Sequence, residues 1–368
     1  MGSVCKKRKI LKECSIQSSL TPYISDQVHF LDFDKNIIHI YSLDEKKYRS
    51  LPIKEDIGKC CTTLQVGKKI LITGGKFMSR IQKSPSKGER PFLSPLKALE
   101  SDKLESPAPG SALPLEQEAE GDPENPNLDS QVASLPRFSA SEGGFLKLFC
   151  EYNESSNRLM QKIPMLKGKS DHAFIATSEN TLYTLGGLGK RGITDFCERY
   201  SAVDRKWVPV AKLTQPRKWL TACSFNRNFI YTFGGVRDTD FVDSASSPIV
   251  EKLNVEYDTH GWVSIAIQGK GWTPLRNAGA FQISKNEILI FGGDYPEKNK
   301  TFILNVDTKA MKPGKKMKKE EVFFCKTPAL YFDSMYIIGH MYCDIHEFEI
   351  SKKNWNNLIH FATWSAKK

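Results

Sequence analysis

Internal repetition constrains this chain more than any other feature. Six times a large apolar residue is followed by a polar turn and, seven positions on, by a second large residue. The pairs are Tyr41 with Tyr48, Tyr152 with Leu159, Tyr200 with Trp207, Val255 with Trp262, Leu304 with Met311 and Phe348 with Trp355. The turns are polar (SLDEKK, NESSNR, SAVDRK, EYDTHG, NVDTKA and EISKKN), so each copy reads as two short strands joined by a hairpin. Ahead of four copies a β-rich run closes on two glycines, at Gly75, Gly187, Gly235 and Gly293; a fifth, SMYIIGH, keeps Gly339 but has His340 in the second place. Before each run lies a further short strand: CTTLQV, DHAFIATS, LTACSFN, NAGAFQIS and KTPALYFD. The repeating unit is therefore a four-stranded antiparallel sheet.

Such a sheet cannot bury its own faces; it must lean on copies of itself, and closing the stack into a ring protects its edges. The first large residues of the last five copies lie 48, 55, 49 and 44 residues apart, close to a period of ~50. The full 368 residues exceed the ~100–200 of a usual single-core domain, and a repeat escapes that limit because each unit packs only on its neighbours. Glycine pairs allow the chain to turn where neighbouring sheets approach closely. The large residues, Tyr200, Trp207, Trp262, Phe348 and Trp355 among them, are expected to fill the wedges between sheets. The chain resembles the kelch-repeat family over nearly its whole length outside one insertion. Residues 182–207, with Gly186-Gly187, then Tyr200, then Trp207, carry that resemblance best, and the Gly-His and Trp-Asp signature of WD40 repeats is missing. The resemblance implies an all-β, six-bladed kelch-type β-propeller over residues 14–368. The first blade, VHFLDFDKNIIHIYSLDEKKYRSLPI, has no glycine pair. Its innermost strand is expected from CSIQSSLT or from the C-terminus.

Residues 79–142 do not fit a blade. They hold nine of the nineteen prolines, with 11 acidic and 7 basic residues, and too little apolar surface to order themselves, so a disordered acidic insertion within blade two is expected. Leaving them out shortens the interval from Tyr41 to Tyr152 from 111 to 47 residues, back on period. The formal charge of +11 becomes more positive still on the remaining chain. Residues 1–13 form a basic tail. Gly2 and Cys5 ahead of KKRK allow a lipid-anchor reading, and the basic run also reads as a nuclear signal or a solvated tail. Nine cysteines without a CxxC pair suggest a reducing compartment, cytoplasmic or nuclear. No apolar run is long enough to span a membrane as a helix.

No nucleophile, phosphate-loop or zinc-protease motif is present. His340, Cys343 and His346 are the nearest thing to a ligand set, but strand alternation separates them, and neither metal nor other cofactor is expected. In a propeller, the loops between second and third strands and the linkers between blades share one face. In the resembled family that face holds partner peptides. Here the first set carries Lys190, Arg191 and Arg237, the second Arg217, Lys218, Arg276 and Lys326, with Trp219 and Trp272 as apolar anchors. The expectation is a non-enzymatic interaction scaffold or adaptor for an acidic or phosphorylated peptide. A cytoskeletal or membrane-peripheral structural protein is the alternative, and an enzyme on the same fold ranks third. The basic charge alone points to nucleic acid, but no aromatic–basic platform accompanies it.

Overall fold

In the computed structural model the repeats form six antiparallel sheets among the described residues. The described residues are 23–32, 35–53, 55, 57, 59–76, 140–142, 144–237, 249–269, 272, 275–293, 298–320, 328–339 and 344–360. Blade one comprises Gln27–Asp32, Ile37–Ser42 and Lys47–Pro52. Blade two comprises Thr62–Val66, Lys69–Thr73, Phe149–Asn153 and Arg158–Gln161; blade three Ala173–Ser178, Thr181–Leu185, Cys197–Ser201 and Lys206–Val210. Blade four comprises Thr221–Phe225, Phe229–Phe233, Val250–Asn254 and Val263–Ile265; blade five Gly279–Gln282, Glu287–Phe291, Thr301–Asn305 and Ala310–Pro313. Blade six comprises Ala329–Tyr331, Ser334–Ile338, Asp344–Glu349 and Asn354–His360. The fold is an all-β six-bladed propeller, with no helix of the α type among the described residues. The basic tail, with Gly2 and Cys5, the segment CSIQSSLT and most of the 79–142 stretch lie outside the described residues. The last three residues of that stretch, Ala140–Glu142, form a short strand that pairs with Phe145–Leu146.

The seven-residue pairs are cross-strand partners. Tyr41 faces Tyr48, Tyr152 faces Leu159, Tyr200 faces Trp207, Leu304 faces Met311 and Phe348 faces Trp355. Blade four departs from the expected register. Lys252 pairs with Val263, so the next step of the ladder sets Trp262 against Leu253 rather than Val255. Its turn is longer by two residues, and counted to Leu253 the interval from Tyr200 is 53 residues rather than 55. Tyr200, Trp207, Trp262, Phe348 and Trp355 are all buried, as the wedge-filling argument requires.

Neighbouring blades share apolar seams all the way round. Leu31, Ile38 and Ile40 pack with Ile70, Ile72 and Cys150 between blades one and two. Phe149 meets Tyr200 and Trp207 edge-on at 4.8 and 5.3 Å between blades two and three. Tyr183 and Leu185 pack with Ala222 and Ile230 between three and four, and Cys223 and Phe233 with Ala280 and Ile290 between four and five. Phe291 joins Trp355 and Phe348 between five and six. Val28 and Phe30 close the ring against Ala329, Ile338 and Ile345.

The glycine pairs sit where one blade touches the linker into the next. Gly186 and Gly187 have φ of 59° and 112°, and the Gly187 amide donates to the Arg217 carbonyl at 2.8 Å. A Cβ on Gly186 would lie 2.5 Å from that same oxygen, and one on Gly234 would land on the Leu275 carbonyl. Gly234→Ala is therefore expected to destabilise by at least about 3 kcal/mol, from a left-handed backbone plus a clash with backbone that cannot yield. Gly67→Ala, at φ 58° but with open space around the new methyl group, is expected to cost only about 1 kcal/mol. Urea unfolding of the two variants checks the contrast.

The seam between blades one and two also holds a titrating group. Burial pushes His29 down to about 4, with the Gln65 side chain pulling the other way. The native state keeps this imidazole neutral while the unfolded chain protonates it near its ordinary 6.5. Stability from this site is thus complete above 6.5 and is lost as pH falls toward 4, by about 1.4 kcal/mol per unit. His29→Gln should flatten the pH dependence of the denaturation midpoint over that window.

Candidate functional site

The linkers into blades three, four and five match residue for residue. The carbonyls of Lys169, Arg217 and Leu275 accept hydrogen bonds from the amides of Gly75, Gly187 and Gly235 at 2.9, 2.8 and 3.1 Å. One residue on, Ser170 and Lys218 pair with Leu188 and Val236, where the loop after each second strand begins. The linkers and those loops therefore share one face of the ring. One further residue on, Asp171, Trp219 and Asn277 each adopt a left-handed backbone, with φ of 56°, 57° and 52°. The Trp219 amide donates to the Asp171 carbonyl at 2.9 Å and the Asn277 amide to the Trp219 carbonyl at 3.0 Å. A backbone chain thus runs from blade to blade at the mouth of the ring.

Asp and Asn tolerate that conformation; tryptophan, a bulky residue, is out of place in it. Its side chain is what the position gains. The Trp219 indole Nε1 donates to the Asp171 carboxylate at 3.0 Å, which fixes the ring plane. The Lys218 ammonium lies 4.3 Å from the ring centroid and the Arg276 guanidinium 6.0 Å, both within cation–π range. Trp219, Arg276 and Asp171 are half-buried, and Lys218 is buried. Burial lowers the Lys218 pKa, Asp171 raising it and Arg276 lowering it further. Two cations and one carboxylate thus surround one aromatic plate.

Of the cations expected on this face, Arg217 belongs elsewhere. Its side chain is 0% exposed. It forms an ion pair with Glu251 and donates to Thr232 Oγ1 at 2.8 Å and to the Gly234 carbonyl at 2.9 Å. Lys169 likewise pairs with a carboxylate one blade earlier, 3.3 Å from Glu198, which also accepts from Thr184 Oγ1 at 3.2 Å and from the Leu166 amide at 2.7 Å. In blade five the equivalent three positions are Leu275, Ile290 and Phe302, packed in one apolar cluster. The expectation that Arg217 meets a partner is corrected: a buried guanidinium needs an internal carboxylate, and Glu251 is that partner.

Lys190 and Arg191 are exposed at the tip of a two-stranded ribbon, Leu188–Gly189 with Gly192–Ile193. Arg237 is exposed at the start of the corresponding loop of blade four. Trp272 packs edge-on against Phe302, centroids 4.9 Å apart, at the margin of the seam between blades four and five. Lys326 lies outside the described residues, as do His340 and Cys343; His346 is buried on the third strand of blade six. Among the described residues no three His, Cys, Asp or Glu side chains converge in a metal-binding arrangement.

No protein-family model matches the chain. Among curated proteins, human Kelch-like protein 23 is 31% identical over 84 residues, 23% of this chain and 15% of that protein. Over that stretch the chain is similar to a kelch protein. The matched stretch spans well under two thirds of the relative's length.

Asp171 and Asn277, on the linkers into blades three and five, complete the rim group. The sequence signal for their role is positional: each occupies the same linker place in its repeat as Trp219. For the buried pair, Arg217→Leu should cost about 3–5 kcal/mol by stranding Glu251. The triple change Arg217→Leu, Thr232→Ile, Glu251→Phe copies blade five and should recover most of that loss in chemical denaturation.

Proposed function

We propose that this kelch propeller is a protein-interaction module whose loop face captures an acidic or phosphorylated segment of a partner protein. The observation that carries the reading is Trp219. It stands in a backbone conformation that costs a tryptophan energy, its ring is held by Asp171, and two cations lie over it. Strain tolerated at a half-exposed aromatic is expected where the side chain serves recognition rather than folding. The exposed Lys190, Arg191 and Arg237 lie on loops of the same face and extend the positive potential outward. Cys150, Cys197 and Cys223 are buried free thiols, which supports placing the protein in the reducing cytosol or nucleus.

Trp219→Asn is the sharpest variant, because asparagine keeps the left-handed backbone that Asn277 already adopts. Its unfolding midpoint should match the wild type, while affinity for the best sequences on an array of acidic and phosphorylated peptides falls at least about tenfold, or 1.4 kcal/mol. Arg276→Glu should give the same pattern with a smaller salt dependence of binding. An unchanged peptide profile in both variants would overturn the reading.

A further inference from the structure

One side chain reaches the innermost strands of three blades and the entry to a fourth. Tyr23 is 6% exposed, and its hydroxyl donates to the Ala176 carbonyl in the middle of blade three's innermost strand at 2.7 Å. Its ring meets Phe281 of blade five edge-on, centroids 5.8 Å apart and planes at 78°. With Cys223 and Ser224 of blade four, and Pro328 at the entry to blade six, it encloses a cavity of about 10 Å³, room for about one water. A group in reach of four blades at mid-strand height stands on the ring axis.

The backbone beside it explains how it comes there. Ile24 pairs in parallel with Leu330 of blade six's innermost strand, and the Ser25 amide donates to the Leu330 carbonyl at 3.0 Å. Asp26 then accepts a hydrogen bond from the Leu43 amide of blade one, and the chain enters that blade's strand Gln27–Asp32. Blade one has three strands among the described residues. Tyr23–Ser25 therefore runs where its innermost strand belongs, alongside that of blade six.

We infer that the innermost strands of blades three to six form an axial docking site for an extended, tyrosine-bearing segment, and that the chain's own Tyr23–Ser25 occupies it. The phenol plugs the ring at mid-height. It joins the apolar seam between blades two and three to that between five and six, since Tyr23 packs in one cluster with residues of both. A partner entering from the loop face stops at this ring, so recognition is confined to the rim and the projecting loops. Burial, and behind it the Cys223 thiol, pushes the phenol's pKa up, in keeping with a sealed, uncharged axis.

Nitration of the folded full-length chain with tetranitromethane, mapped by mass spectrometry, tests the placement. Tyr257, 49% exposed, should react quickly, and Tyr23 only after unfolding. Tyr23→Ala should lower the thermal midpoint by on the order of 5 °C or more, and p-cresol should restore part of it in a dose-dependent way while leaving the wild type unmoved. Tyr23→Phe, which keeps the ring and loses only the bond to Ala176, should fold with a smaller loss and stands in where the alanine variant does not fold. Nitration of native Tyr23 at the rate of Tyr257, or a Tyr23→Ala protein that melts with the wild type, would overturn the inference.

Discussion

The ring depends on one close approach: the glycine pair ending a blade's second strand lies against the linker that enters the next blade. The amide of the second glycine donates to a linker carbonyl in three successive blades, and the first has no room for a Cβ. That contact fixes the position of these three linkers, and from it follow the chain of left-handed residues and the start of the innermost strands of blades three to five. Apolar wedges supply most of the free energy. The glycine–linker contact supplies the geometry that lets those wedges meet.

Two solutions to the space behind this contact coexist in one molecule. Blades three and four fill it with a cation, a threonine and a glutamate, buried together; blade five fills it with leucine, isoleucine and phenylalanine. An internal ion pair and an apolar plug of similar size can be nearly equivalent in stability, since Coulomb attraction offsets the desolvation of both ions. The polar version adds direction. Arg217 reaches the carbonyls of both Gly234 and Ile249 and so ties the ends of the second and third strands of blade four.

Much of this was legible in the sequence because repetition multiplies weak signals. Polar turns between large residues seven apart located six hairpins, and glycine pairs located the second strands, even though no single blade carries a decisive motif. The lengthened hairpin of blade four was hidden because Leu253 and Val255 are both plausible partners for Trp262. The roles of Arg217 and Lys218 were hidden for another reason. Adjacent cations diverge, one into the blade and one over an indole, and the deciding carboxylate lies 34 residues away. The recurrence of Lys169, Thr184 and Glu198 as Arg217, Thr232 and Glu251 was the available clue. Tyr23 gave no signal, because a lone tyrosine before the first hairpin belongs to no repeat.

Hydrogen exchange resolved to single amides addresses the central claim most directly. If the glycine–linker contact holds the ring, the amides of Gly75, Gly187, Gly235, Trp219 and Asn277 will exchange as slowly as those inside the blades, and all will open in the same cooperative step. Inter-blade amides that exchange orders of magnitude faster than their neighbours within each sheet would show six blades held by their apolar seams alone, and would contradict this account.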